Sequence, residues 1–188
     1  MGFLDVILGR SKPVRPDLDQ LFALPSAAVT LQAAAGFSPT GLGSVCFASV
    51  EGGAFARIQE EARSLLDGSV EFTQDGYGYT WLLVRHSAED VAGLVNDLHA
   101  VNTSLEEAGF GPQLLCSLLD FRDERQRSLA LVYLYKRGTF YPVCKLPGQQ
   151  KRDNARELQV SSLLKDDLRV EEDLSRWFPV WGAPGTAD

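Results

Sequence analysis

The side chains with the widest catalytic range are scarce in this chain. It has two histidines, His86 and His99, and three cysteines, Cys46, Cys116 and Cys144. A histidine next to a cysteine can activate the thiol as a nucleophile, and the sequence allows His86 to pair with Cys116 or with Cys144. However, each cysteine lies in an apolar stretch, which is typical of a buried, reduced thiol. We therefore expect structural rather than catalytic cysteines.

The spacing of the cysteines also bears on location and cofactors. Three cysteines far apart in the chain do not form a disulfide framework, so we expect a reducing compartment, the cytoplasm. No CxxC, HExxH or calcium-loop pattern occurs. The glycines Gly41 and Gly43 precede a strand and lack the third glycine of a dinucleotide fingerprint. The sequence thus predicts a protein without metal, cofactor or enzymatic activity.

One apolar cluster stands at the start of the chain. Within residues 1–12, the side chains of Phe3, Leu4, Ile7 and Leu8 recur at helical spacing. A helix this short is marginal in water and needs a surface on which to fold. That surface could be a partner protein or the inner face of the membrane, to which the protein would then bind peripherally. The alternative is that the helix packs on the core of the chain itself.

A second apolar cluster, formed by Trp177, Phe178 and Trp181, stands near the other end. If exposed, these aromatic side chains would be a contact patch for a partner protein. If buried, they would form a C-terminal strap across the core. The large area that Trp and Phe bury favours the strap.

An alternative function is that of a small-molecule-binding protein or an enzyme whose site no motif reveals. In that case a pocket in the sheet would be lined by polar groups of four residues, Tyr79, His86, Tyr133 and Tyr135.

The charge distribution argues against nucleic acid as a partner. The net charge of −7 repels a phosphate backbone unless a local basic patch exists. The basic residues around 136–152 are interpreted as the solvated end of a hairpin and the start of a helix. The charged residues at 120–125 are interpreted as a solvated hairpin loop.

Residues 113–144 predict three consecutive strands. The middle one, residues 129–135, carries no charged side chain on either face, which is typical of a strand covered on both sides, so we expect it at the centre of a sheet. Because Pro142 cannot donate to a strand ladder, the third strand is expected at an edge or at a bulge.

The rest of the chain predicts an α+β fold, a largely antiparallel sheet with packed helices in the order α-ββ-α-ββ-α-βββ-α. Residues 1–16 form an N-terminal amphipathic segment and linker, 17–182 a single domain, and 183–188 a flexible tail. The expected elements are a helix from Asp17 that ends at Pro25, strands at 26–34 and 44–50 around a loop at 36–43, a helix at 54–67, strands at 70–73 and 79–85, a helix from 91 that ends at Gly109, and a helix from Asp153 to about Lys165. If helices cover only one face of the sheet, the other apolar face predicts a homodimer.

Five stretches carry a resemblance to a known family: MGFLDVILGRSKPVRPDLDQLFALPSAAVTLQAA, GYGYTWLLVR, LHAVNTSLEEAGFGPQLLCSL, RSLALVYLYKRGTFYPV and RWFPVWGAPG. They resemble the actinobacterial PspA-associated protein family PspAB, and the match runs through almost the whole chain. The resemblance implies association with a PspA-like protein, a coiled-coil protein of the phage-shock membrane-stress response. It implies a cytoplasmic accessory role and supplies no catalytic residues.

Overall fold

The computed structural model describes residues 16–66, 70–184 and 186. In this part of the chain, six antiparallel strands form one open sheet in the order β2-β3-β1-β4-β5-β6. The α+β architecture predicted from the sequence is confirmed. The strands are β1 (Ser38–Ala48), β2 (Glu71–Gln74), β3 (Tyr79–Arg85), β4 (Leu114–Arg122), β5 (Ser128–Leu134) and β6 (Thr139–Val143). The helices are α1 (Leu24–Ala35), α2 (Gly53–Leu65), α3 (Val91–Leu105) and α4 (Asn154–Leu163).

Helix α1 corrects the prediction of a strand at residues 26–34. Its buried residues Leu24, Ala27, Ala28 and Leu31 follow the helical spacing, and the high helix propensity of alanine outweighs the apparent alternation. Pro25 stands in the first turn of α1, where proline is tolerated, so it opens this helix instead of ending the one before. The segment from Asp17 is a single 3-10 element, Leu18–Ala23. The predicted pair of strands between the first two helices is thus replaced by helix α1 and the single strand β1.

Strand β1 begins inside the predicted loop at 36–43. Two glycines let its backbone lie close to its neighbours. A Cβ at Gly41 would collide with the carbonyl of His86, and a Cβ at Gly43 would crowd Leu94 and Leu98 of α3. β1 pairs with both β3 and β4, so it is one of the two middle strands of the sheet.

The predicted middle strand at 129–135 corresponds to β5. Its residues from Ser128 to Tyr133 are buried, which confirms that both faces are covered. Its predicted central position is wrong, because β5 lies second from the edge, between β4 and β6. The prediction from Pro142 is confirmed, since β6 is an edge strand.

The two faces of the sheet are covered differently. The four α-helices pack on one face and form the larger core. On the second face, the core consists of sheet residues and of Trp177 and Ala183 from the C-terminal segment, with Val180 packed against them. We call residues 177–184 the strap. Because the strap crosses only part of this face, it leaves a depression next to it.

Candidate partner-binding cleft

The depression on the second face is an apolar cleft of about 500 Å³. Its walls come from the strap, from the β2–β3 hairpin and from residues of β1, β4, β5 and β6. The residues that line it are Cys46, Asp75, Tyr77, Tyr79, Trp81, Leu115, Cys116, Leu134, Tyr141, Phe178, Pro179, Val180 and Trp181. Its size is in the range of known ligand and side-chain pockets.

The strap is fixed at its first residue. The Trp177 ring stacks on Tyr141 of β6 with 5.9 Å between ring centroids, and its Nε1 donates to the Glu171 carbonyl at 3.0 Å. Arg152 Nη1 donates to the Trp177 carbonyl at 2.6 Å. Tyr141 Oη donates to the Phe178 carbonyl at 2.9 Å. These contacts tie the strap to the edge of the sheet.

The middle of the strap bends at Val180. This residue has φ 46, a left-handed conformation that a β-branched side chain rarely adopts. Lys145 Nζ donates to the Val180 carbonyl at 3.2 Å and lies 5.2 Å from the centroid of the Trp181 ring. The buried ammonium group therefore holds both the bend and an indole that lines the cleft.

Asp75, in the β2–β3 turn, holds the wall of the cleft next to the strap, since a Cβ at Gly182 would lie 3.3 Å from the Asp75 Cβ. Its carboxylate accepts from Trp81 Nε1 at 2.9 Å and from the backbone N–H groups of Tyr77 and Tyr79 at 2.8 and 3.0 Å. Burial alone would raise the pKa of Asp75, but these hydrogen bonds outweigh it and lower that pKa. The bonds orient Trp81 in the cleft and Tyr77 and Tyr79 at its rim.

The rim carries exposed aromatic side chains. Among the described residues, four large aromatic side chains are exposed, and three of them line the cleft: Tyr77 (61%), Tyr79 (42%) and Phe178 (59%). The fourth, Phe22, lies elsewhere, against His99. Exposed aromatic side chains around an apolar depression are typical of a protein-binding surface.

The structure does not bring together the histidine–cysteine pair that the sequence allowed as an alternative to structural cysteines. His86 Nδ1 lies 2.9 Å from Asp90 and its Nε2 lies 2.6 Å from Asp97, so carboxylates occupy both ring nitrogens. Cys116 instead faces Cys46 across β1 and β4. The nucleophile pairing, which the sequence only allowed, is therefore not formed.

The predicted polar pocket of Tyr79, His86, Tyr133 and Tyr135 is not formed either. Tyr79 lies at the cleft, whereas Tyr133 and Tyr135 belong to the core on the helix face. There, Tyr133 Oη donates to the Asp17 carbonyl and Tyr135 Oη to Glu106, both at 2.7 Å.

The two predicted apolar clusters have different positions. Phe3, Leu4, Ile7 and Leu8 lie outside the described residues. In the C-terminal cluster, Trp177 is buried as a strap residue is expected to be, Phe178 is exposed at the rim, and Trp181 is half-buried. Buried and exposed aromatic side chains are therefore adjacent in one segment.

Sequence patterns missed the rest of the cleft. Trp81, Tyr141 and the facing pair Cys46 and Cys116 come from four strands, and only the pairing register brings them to one face. The one local signal was the hairpin motif at residues 75–78, which places Tyr77 at a turn.

Two further properties of the described residues concern metal binding and membrane insertion. Within 16–66, 70–184 and 186, no three or more His, Cys, Asp or Glu side chains are grouped to hold a metal ion. No helix in the same part of the chain has the length and apolar character needed to cross a membrane.

A comparison with protein families identifies the chain. The model of the family described as PspAB, PspA associated protein B, matches residues 1–185. The chain belongs to the PspAB family. The family's description associates its members with PspA, and the matched range includes the strap and both walls of the cleft. Neither the curated proteins nor the solved structures that were compared with this PspAB chain contain a match.

Proposed function

We propose that this protein is a non-enzymatic, cytoplasmic accessory protein that binds a PspA-type protein in an envelope-stress response, and that the cleft is its binding surface. The observation that carries the proposal is the apolar cleft with Tyr77, Tyr79 and Phe178 exposed at its rim. The family's description supplies the partner.

The chemistry of the cleft suits a helical partner. A coiled-coil protein presents rows of apolar side chains on its helices, and such a row binds by placing a few of them in an apolar groove. The rim aromatics supply large contact areas with few rotatable bonds, which favours them as energetic hot spots.

A non-enzymatic role agrees with the state of the two histidines and of Cys144. The ring nitrogens of His86 are occupied by carboxylates, and His99 Nε2 is bound to Asp19 at 3.0 Å. Burial raises the pKa of the Cys144 thiol to about 12, so this cysteine stays protonated at neutral pH.

Calorimetric titration against the cognate PspA protein tests the proposal. We expect measurable binding to the intact chain, and we expect Phe178→Ala to weaken it by about tenfold or more. The matched control is Leu174→Ala, because Leu174 is equally exposed (58%) but does not line the cleft. This variant should bind like the unmodified chain.

Two results would count against the proposal in different ways. No binding at tens of micromolar, with and without membranes, would reject PspA as the partner. Binding that Phe178→Ala and Leu174→Ala leave equally strong would retain the partner but move the contact surface away from the cleft.

A second candidate is an apolar small molecule as the occupant of the cleft, which the cleft volume of about 500 Å³ favours. Native mass spectrometry of the protein purified from its own cells would reveal a co-purifying ligand. Loss of that ligand in Phe178→Ala, with retention in Leu174→Ala, would support this function.

Contact with the inner face of the membrane is a further part of the proposal and concerns residues 1–12. Flotation with liposomes should be stronger for the intact chain than for a chain that lacks these residues. Equal flotation, or none, would reject a membrane contact through this segment.

A further inference from the structure

Two of the three cysteines face one another on the middle strands of the sheet. Cys46 of β1 is paired with Cys116 of β4 in the antiparallel register. Both side chains belong to the core on the second face, and both line the cleft. Neither is in a disulfide in the structure.

This placement is compatible with a disulfide without backbone movement. Directly opposed residues of antiparallel strands have Cα atoms about 4.5 or 5.5 Å apart, depending on whether the pair is hydrogen-bonded. Both distances fall within the range of about 4.4–6.8 Å observed for disulfides. The register of β1 and β4 also shifts between Cys46 and Phe47, and such an irregularity gives the backbone local freedom.

The surroundings decide which reagent could oxidise the pair. The pKa of the Cys46 thiol is raised because it hydrogen-bonds with Cys116 and because it is buried, so we assign the first attack, on the peroxide, to Cys116 and the second attack, on the sulfenic sulfur, to Cys46. Cys116 is the more exposed of the two, 7% against 3%. The route to it is the apolar cleft, which admits a small uncharged molecule more readily than a large charged one.

We propose that Cys46 and Cys116 are a redox-active dithiol, and that a small uncharged hydroperoxide oxidises them to an intramolecular disulfide across β1 and β4. Cys116 Sγ attacks the terminal peroxide oxygen, the O–O bond breaks, and an alcohol leaves with the thiol proton. Cys46 Sγ then attacks the sulfenic sulfur, the S–O bond breaks, and water leaves with the second proton. Two thiols and one hydroperoxide give one disulfide, one alcohol and one water.

The third cysteine is an internal control. Cys144 is 1% exposed and belongs to the core on the helix face, and no other described cysteine lies in that core. It has no partner for a disulfide there and no access through the cleft. Oxidation should therefore consume two of the three thiols and spare Cys144.

The test treats the reduced, folded, full-length chain with tert-butyl hydroperoxide. The chain is then unfolded, its free thiols are alkylated, and its peptides are mapped by mass spectrometry. We expect a linked peptide pair that contains Cys46 and Cys116, with Cys144 alkylated. Cys46→Ser and Cys116→Ser should each abolish the linked peptide pair, whereas Cys144→Ser should still give it. If the first two variants do not fold, the result for Cys144→Ser still tests the proposal. Oxidised glutathione should react at least about tenfold more slowly.

Several outcomes would overturn the proposal: three alkylated thiols after treatment, Cys116 oxidised to the sulfinic acid while Cys46 is still alkylated, or disulfides only between chains. Oxidation of the Cys144 thiol at the same rate as the other two thiols would also overturn the proposal, because it would show that the chain had unfolded. None of these readouts involves PspA, so the dithiol proposal stands or fails independently of the proposed function.

Discussion

At the scale of single residues, Asp120 in β4 is a buried acid whose ionised form is poorly stabilised by its surroundings. Its side chain is 1% exposed, and one carboxylate oxygen, Oδ1, has no hydrogen-bond partner among the described residues. The other accepts from Thr40 Oγ1 at 3.0 Å and lies 3.4 Å from Arg122 Nε. Burial raises the pKa of Asp120 to about 6, and the charge of Arg122 and the Thr40 hydrogen bond only partly oppose this.

A raised pKa makes Asp120 destabilising at neutral pH. Between its ordinary pKa and about 6, the folded chain keeps a proton that the unfolded chain has released, so the free energy of unfolding falls as pH rises. The shift from 3.8 to about 6 corresponds to a contribution on the order of 3 kcal/mol. We expect urea denaturation between pH 4 and 7 to show this decline and Asp120→Asn to remove it.

The control for this prediction is Asp166→Asn, at an exposed acid in the same chain. It should leave the decline with pH in place. An unchanged pH dependence in Asp120→Asn would show that the buried carboxyl does not titrate in this window.

Asp120 also shows what residue types alone conceal. The sequence places it at the start of a charged hairpin loop, and solvation is the natural interpretation. In the structure, β4 extends through Arg122, so Asp120 is part of the second face of the sheet. Asp123 is likewise buried, and its carboxylate accepts from the backbone N–H groups of Arg125 and Arg127. Neither burial follows from composition, because strand length and turn geometry decide it.

At the scale of elements, the strap depends on Trp177. Its ring is 6% exposed, is stacked on Tyr141 and is hydrogen-bonded to the Glu171 carbonyl. Truncation of a buried tryptophan to alanine costs about 3–5 kcal/mol. We expect Trp177→Ala to lower the free energy of unfolding by this amount in chemical denaturation.

Phe178→Ala is the neighbouring control, because Phe178 is 59% exposed. It should change stability by no more than about 0.5 kcal/mol. Equal losses in both variants would mean that the strap is held by its backbone and not by the Trp177 ring.

A second element-scale contact joins the end of β3 to α3 through His86. Burial lowers the pKa of this imidazole, but the hydrogen bonds and charges of Asp97 and Asp90 outweigh burial and raise it. A raised pKa means that the contact stabilises the fold fully below the ordinary pKa of about 6.5 and less as pH rises through the folded value. The stability difference between the unmodified chain and His86→Gln should therefore be larger at pH 6 than at pH 8. A difference that does not change with pH would contradict the ion-pair assignment.

The predictability of an element depended on how distinctive its pattern was. In α3, the stripe of Leu94, Val95, Leu98, Val101 and Leu105 has the spacing of one helix face and leaves no alternative to a helix, and these five side chains are buried. Residues 26–34 are rich in small side chains that suit both a strand and a helix, and packing of α1 against the sheet and α3 decides for the helix.

At the scale of the whole molecule, the α+β class follows from local signals, whereas the cleft does not. Hairpin turns show which consecutive strands pair, as β2 with β3 and β4 with β5. The pairings of β1 with β3 and with β4 join distant parts of the chain, and no turn between them specifies the register. Because the cleft and its facing cysteines depend on these pairings, sequence patterns could indicate the aromatic segment but not the site.

The sequence also predicts a homodimer, on the condition that the second face of the sheet is uncovered. The strap covers part of that face with Trp177, Val180 and Ala183, so the second face is left uncovered only at the cleft. We therefore expect the intact chain to sediment as a monomer at micromolar concentration. Removal of the chain after Arg176 should expose Tyr141 and its apolar neighbours, and this surface should drive self-association. Phe178→Ala keeps the strap and should sediment as a monomer. A dimeric intact chain, or a monomeric truncated chain that is still folded by circular dichroism, would show that the strap is not what keeps two copies apart.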